Sequence, residues 1–361
     1  MRRAILDFKF QCLEVLFLIL SGETIMKNTR KLISIVSLLG TLMVSAGASA
    51  QDGLIYHTEG ISGSNIPVTY HLVSTDDGLL TPIGLRKPAG DGPFPVVLFS
   101  SGNGGEGYQY VKDYSHNRGW TLEQFLAAGY AVAWLRYRSE VEIPVYGGAS
   151  LLAQPWSGRP VFNRSPLEYE DAIRIIDYVR ALPYIDSDRV GWMGVSHAGE
   201  MLMKITSIYD GLAAGIASEP ASAGFMARGE VASLPEIGSD EYGQDGKSSL
   251  ETEENYDAER LQAAVKATHE AIDRETAMAR IDSIDTPIFV QGRSRDHNQP
   301  VFRVNYELLS EAGKNVEWKS YDHDVHGFVY VWRDNSGNYA PDDVQREAIS
   351  DSIEFFDRHM K

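Results

Sequence analysis

Arg189-Val190-Gly191-Trp192-Met193-Gly194-Val195-Ser196-His197-Ala198-Gly199-Glu200 is the stretch that decides the fold. Residues 189–193 read as a buried strand and residues 198–207 as a helix, with almost nothing between them. A strand that runs straight into Gly-x-Ser-x-small and then into a helix forms a nucleophile elbow. The turn is so tight that the positions two before and two after the serine must be small. Gly194 and Ala198 meet that demand, although glycine is commoner than alanine at the second position. Such a turn lifts the serine hydroxyl above the sheet, at a helix N-terminus that favours developing negative charge.

The flanking sequence repeats the strand–helix alternation. Residues 54–73 and 79–88 read as strands, ended by Asp76-Asp77-Gly78 and Gly90-Asp91-Gly92. The continuous apolar runs at 95–100 (PVVLFS) and 130–135 read as buried strands, with a short helix at 121–128 between them. Ser165-Pro166-Leu167-Glu168 is a capping box with proline at the first helical position, and apolar residues behind it keep helical spacing. Strands follow at 212–217, 286–291 and 316–321, and helices at 300–312 and 342–359. This order predicts an α/β fold: a mostly parallel central sheet with helices on both faces. Two stretches interrupt it. Residues 139–163 are rich in Gly and Pro. Residues 228–257 hold nine Asp/Glu against two Lys/Arg and lead into a helix at about 258–279. The span 228–280 reads either as a cap-like insertion or as a solvated excursion.

A serine hydroxyl needs a base, and the base an acid to orient it. In a fold of this type the chain order is serine, acid, histidine. His326, in Asp322-His323-Asp324-Val325-His326-Gly327-Phe328 after the last strand, is the expected base, with His323 as competitor. Asp296, after the strand at 286–291, is the expected acid; its alternative is a turn aspartate capping the next helix. The expected oxyanion donors are the backbone amide of His197 and the loop Ser101-Gly102-Asn103-Gly104-Gly105, with Asn103 as donor and Gly104 behind it. Arg136, Arg138 and Tyr146 are available to line a pocket, or are structural. The chain has no phosphate-binding glycine motif in the right setting and no H-E-x-x-H, so neither a cofactor nor a catalytic metal is expected.

Of the 361 residues, the first fifty read as an export segment. Lys27, Arg30 and Lys31 precede an apolar run at 32–47, and Ala48-Ser49-Ala50 reads as a cleavage site before Gln51. Met26 is the expected start. That run, of about 16 residues, is short against the ~20 of a spanning helix. The protein is therefore expected to be exported, to the periplasm or the medium, without stable membrane association. Residues 51–361 then form one domain with 27 Lys/Arg against 47 Asp/Glu, a net charge of −20. Nucleic acid and anionic membranes repel such a chain. The single cysteine, Cys12, lies in the leader, leaving no disulfide and no thiol nucleophile.

With these residues assembled, the chain resembles the α/β-hydrolase superfamily. It is most similar to the prolyl-oligopeptidase catalytic domain and to the dienelactone-hydrolase and acetyl-esterase groups. The resemblance rests on residues 101–105, Glu170-Asp171, the run 183–191, the Ser196 elbow, 292–296 and His326-Gly327-Phe328. It departs from them at Ser101-Gly102, where these relatives carry His-Gly. The resemblance implies a serine hydrolase with Ser196, Asp296 and His326 as triad, acting on a small-molecule ester or a short peptide. About 45 residues between Ala50 and the core leave no room for the propeller of the oligopeptidases, which favours an esterase. The competing readings are a peptidase or amidase on the same residues, and a catalytically silent hydrolase fold used for binding.

Overall fold

The apolar run at 95–100 lies at the centre of the sheet, where a strand is covered on both faces and has no polar side to present. The computed structural model describes residues 53–76, 78–102, 107–136, 167–226 and 258–361. Among them the strands are β1 (Gly53–Glu59), β2 (Val68–Ser74), β3 (Leu80–Arg86), β4 (Phe94–Ser100), β5 (Ala131–Leu135), β6 (Ile185–Val195), β7 (Ala214–Ser218), β8 (Ile288–Arg293) and β9 (Val316–Tyr321). They form one sheet in the order β1-β2-β3-β5-β4-β6-β7-β8-β9. β1, β2 and β3 pair antiparallel with their neighbours, and β5 through β9 pair parallel. The helices are α1 (Gly107–Asn117) and α2 (Gly119–Ala127) before β5, α3 (Leu167–Arg180) before β6 and α4 (His197–Thr206) after it. α5 (Ala258–Ala271) and α6 (Arg274–Asp282) precede β8, α7 (Gln299–Glu311) precedes β9, and α8 (Asp343–Met360) follows it.

Alternate side chains of the central strands feed two cores. Val96, Leu98, Val190 and Trp192 pack on one face with Ile175 and Ile176 of α3 and Phe302 of α7. Val97, Phe99, Met193 and Val195 pack on the other with Leu122 and Phe125 of α2 and Phe355 and Phe356 of α8. Asp342 caps α8 by accepting from the Gln345 amide, and the Gln345 side chain caps back. Asp52–Lys361 forms one compact unit. The chain has an α/β fold with a mostly parallel sheet and helices on both faces, as its pattern predicts.

Three local readings change. The span 54–73 is two antiparallel strands, because Gly60, Gly63, Ser64 and Pro67 turn the chain between them. α1 is an addition: Tyr108, Val111 and Tyr114 keep helical spacing, and all three pack in or against the second core. The helix at 258–279 is two, because the Asp273 carboxylate accepts from the Thr276 amide and starts α6. In the span 228–280, residues 258–280 belong to the crossover before β8, where Ala277 joins the core; residues 227–257 lie outside the described residues.

The chain leaves β4 for β5 on one side and returns to β6 on the other. The strand order therefore reverses between β4 and β6. Ligands of open α/β sheets bind at such a point, outside the carboxyl ends of the strands. Ser100 and Val195 end those two strands.

Candidate active site

Ser196 occupies the turn between β6 and α4 with φ 58° and ψ −119°. A non-glycine residue at positive φ is strained, and strain of this kind persists only where the surroundings enforce it. Here they do. The Ser196 amide donates to the Ser218 carbonyl at 2.9 Å, and the Ser196 carbonyl accepts from the amides of Gly199, Glu200 and Ala221. A side-chain carbon on Gly194 would lie 2.1 Å from the Ala198 carbonyl oxygen. Gly194→Ala is therefore expected to open the elbow, costing about 1–3 kcal/mol of stability. Turnover should fall about 100-fold through displacement of Ser196. A thermal melt beside an activity assay checks both; unchanged turnover in Gly194→Ala overturns the tight-turn reading.

Asp296 and His326 are brought together from separate loops. His326 Nδ1 lies 2.9 Å from Asp296 Oδ2. Asp296 is fully buried; its Oδ1 accepts from the Asn298 amide at 2.8 Å and its Oδ2 from Arg293 Nη2 at 2.8 Å. Burial would raise the Asp296 carboxyl, but His326, Arg293 and the Asn298 amide hold it well below the usual carboxylate range. The His326 side chain remains 39% exposed. What burial it has disfavours the imidazolium, yet Glu219 and Asp296 outweigh this and raise the ring to about 10. Ser196 sits beside this loop. A side-chain carbon on Gly327, at φ 75°, would lie 3.5 Å from Val195 Cγ1. The Tyr330 hydroxyl lies 3.0 Å from the Ser100 carbonyl and 2.9 Å from the Met193 carbonyl, tying the loop to the ends of β4 and β6. Among the described residues Ser196 Oγ makes no hydrogen bond to His326. Such bonds often tighten only when a ligand is in place.

His323, the competitor, faces elsewhere: its Nε2 lies 3.0 Å from Asp342 Oδ2. His297 lies 3.5 Å from the other oxygen of Asp296.

Two residues at the site were not singled out in the sequence. Glu219, immediately after β7, is fully buried, and its Oε1 lies 3.3 Å from His326 Nδ1. Arg293, the last residue of β8, joins the two carboxylates, at 2.9 Å to Glu219 and 2.8 Å to Asp296. Glu219, Asp296 and His326 are close enough to share a cation, and the Arg293 guanidinium supplies positive charge at that place. The available signal was an acidic residue at the carboxyl end of the strand next to the elbow strand.

The loop after β4 also reaches the serine. A side-chain carbon on Gly102 would lie 3.4 Å from Ser196 Cβ and 3.5 Å from Oγ. Arg136 is buried and donates to the Gly102 carbonyl at 2.6 Å and the Ser101 carbonyl at 3.3 Å. It thus holds this loop in place. The Ser101 and Tyr110 hydroxyls are hydrogen-bonded behind it. Asn103 and Gly104 lie outside the described residues, as do 139–163 and the leader. The His197 ring is buried, 2.9 Å from Glu168 and 3.3 Å from Glu200. Burial would raise Glu200, but Lys204, His197 and the Phe225 amide hold it down at about 2. A separate cleft of about 240 Å³, lined by Ile61, Trp120, Glu123, Arg333 and Tyr339 among others, contains none of Ser196, Asp296 or His326.

No protein-family model matches the chain, and no curated protein matches it. Solved structures do. The chain is similar to esterase Est22, with a TM-score of 0.54, 16% identity and 82% of each chain covered. It is similar to an acylaminoacyl peptidase of Pyrococcus horikoshii, with a TM-score of 0.52 and 17% identity, over 83% of this chain and 42% of that one. It is similar to dipeptidyl peptidase 4 of Porphyromonas gingivalis, with a TM-score of 0.52 and 16% identity, over 81% of this chain and 36% of that one. The chain thus spans less than half the length of either peptidase. These likenesses, with the strand order around the Ser196 turn, establish that the chain has the α/β-hydrolase fold.

Proposed function

We propose that the chain is a serine hydrolase that cleaves a carboxylic ester through an acyl-enzyme on Ser196. The observation that carries this reading is the buried Asp296 carboxylate on His326 Nδ1, beside a serine held at positive φ on an elbow. Asp296 accepts a hydrogen bond from Nδ1–H, which keeps the proton on Nδ1 and leaves Nε2 as the acceptor for the proton of Ser196. As that proton moves, Ser196 Oγ bonds to the acyl carbon. His326 then returns the proton to the leaving alkoxide, and water clears the acyl-enzyme by the same route. The negative oxygen of the intermediate is met by the His197 backbone amide, with the loop carrying Asn103 and Gly104 as second source of donors. No cofactor takes part. The expected substrate is a small ester. The leader read at 26–50 supports export to the periplasm or the medium. Among the described residues no helix is long and apolar enough to cross a membrane. The net charge of −20 over residues 51–361 supports a reading without nucleic acid or anionic membrane as partner.

A peptidase or amidase of the prolyl-oligopeptidase type is the second reading, since two similar structures are peptidases. The esterase reading draws on the likeness to esterase Est22, at a TM-score of 0.54. The test is the initial rate on short acyl esters and aminoacyl amides side by side. Faster ester turnover supports the reading. Preferred amide cleavage moves the chain to the peptidases. A folded protein that cleaves neither points to an unusual substrate or to the silent binding fold, and removes the small-ester reading.

The pH profile follows from His326. The base must be neutral to accept a proton, and its neighbours raise it from the ordinary histidine value to about 10. Ester kcat/KM is therefore expected to climb with pH through the alkaline range, with its acid limb well above pH ~6.5. A limb at or below that value contradicts the site as described.

A further inference from the structure

We propose that Glu219 is a second carboxylate on the His326 ring, a positioning residue that shares with Asp296 the holding of the imidazole and its Nδ1 proton. This deepens the proposed function and rests on His326 as its base. Glu219 is fully buried just past β7, at φ 48°, a conformation that a non-glycine residue rarely adopts. Its amide donates to the Gln291 carbonyl at 2.7 Å, so the strained backbone is anchored to the end of β8. Its Oε2 accepts from the Gly327 amide at 2.7 Å. Its Oε1 accepts from Arg293 Nε at 2.9 Å and lies 3.3 Å from His326 Nδ1. Glu219 thus grips the ring and the peptide following it. An ion pair with Arg293 alone requires neither contact.

The charged groups at the ring are Glu219, just past β7, and Asp296, in the turn after β8, with Arg293 at the end of β8 bound to both carboxylates. On its own loop, His323 is turned to Asp342 and Asp324 to Arg295. His297 stands behind Asp296. Two carboxylates against one guanidinium leave one negative charge beside a neutral ring. When Nε2 takes the Ser196 proton and the Oγ–acyl bond forms, the ring becomes positive and that charge is matched. The Nδ1 proton stays between the two carboxylates. The Nε2 proton then passes to the leaving oxygen as its bond to the acyl carbon breaks.

The test reads the ring directly. His326 is titrated by imidazole nitrogen NMR in the full chain carrying Ser196→Ala, which needs no substrate, with His326→Gln assigning its signals. Adding Glu219→Gln should lower the His326 midpoint by about one to three pH units, the range for loss of a charge at this distance. An unchanged midpoint in a folded protein overturns the proposal. If Glu219→Gln does not fold, Asp296→Asn leaves Glu219 untouched. Its His326 midpoint should then stay above ~6.5, and a midpoint at or below that value overturns the proposal. In an active enzyme Asp296→Asn should also keep more than the ~10⁻⁴ of kcat left when a triad has one acid. A protein that hydrolyses nothing, yet shows the midpoint falling with Glu219→Gln, loses the proposed function and keeps the paired carboxylates.

Discussion

Ser196→Ala is expected to lower kcat on esters by about 10⁴- to 10⁶-fold while leaving the fold intact. The magnitude is that of removing a nucleophile whose partners act only through it. The fold should persist because the hydroxyl makes no hydrogen bond among the described residues, while the elbow is held by backbone contacts from Ser218, Gly199 and Ala221. Alanine keeps the Cβ that the turn already accommodates at φ 58°. The melting temperature should therefore stay within about 2 °C, since surface-type changes of ~0.5 kcal/mol move it by no more than that. A variant with turnover near that of the parent protein removes Ser196 as nucleophile. One that loses activity and melts far earlier says only that the serine was structural.

Arg293→Met should be the most destabilising single change at the site. Arg293 is 4% exposed, and it joins Glu219 and Asp296, both fully buried. It also donates to the carbonyls of His323 and Asp324 at 3.2 and 2.9 Å, holding the loop that carries His326. Removing one partner of a buried ionic group leaves the others uncompensated, at a cost of about 3–5 kcal/mol. In a domain of this size that is a fall on the order of 10 °C in melting temperature. The pH dependence has a definite sign. Asp296 is held below its ordinary value in the folded state, so its contribution to stability is present above the unfolded value of ~3.9 and is lost as pH falls further. The deficit of Arg293→Met should therefore be full at neutral pH and shrink below about pH 4. Equal melting of the two proteins at neutral pH contradicts the network.

The elbow was legible because its constraint is local. Gly194, Ser196 and Ala198 sit within five residues, and the tight turn excludes larger neighbours at either end. Position in the strand–helix order singled out Asp296 and His326, and the structure brings them together although thirty residues separate them. Arg136 shows the converse. As a charged residue after a buried strand it could equally have faced a ligand, and only the fold commits it to the Ser101 and Gly102 carbonyls. Asn103 and Gly104 were read from glycine-rich composition, and their part remains a proposal.

By itself, then, the sequence determined the alternation of apolar strands and amphipathic helices, the sharp turn at Ser196, and the order of serine, acid and histidine. Each is set by residues a few positions apart, or by order along the chain. The tertiary structure alone decided that Glu219 and Arg293 belong to the same site. Their roles arise because β7 and β8 lie side by side in the sheet, setting residue 219 against 293, 296 and 326. No spacing along the chain encodes that neighbourhood. It exists only once burial has excluded water and left two carboxylates to be satisfied by one guanidinium and one imidazole.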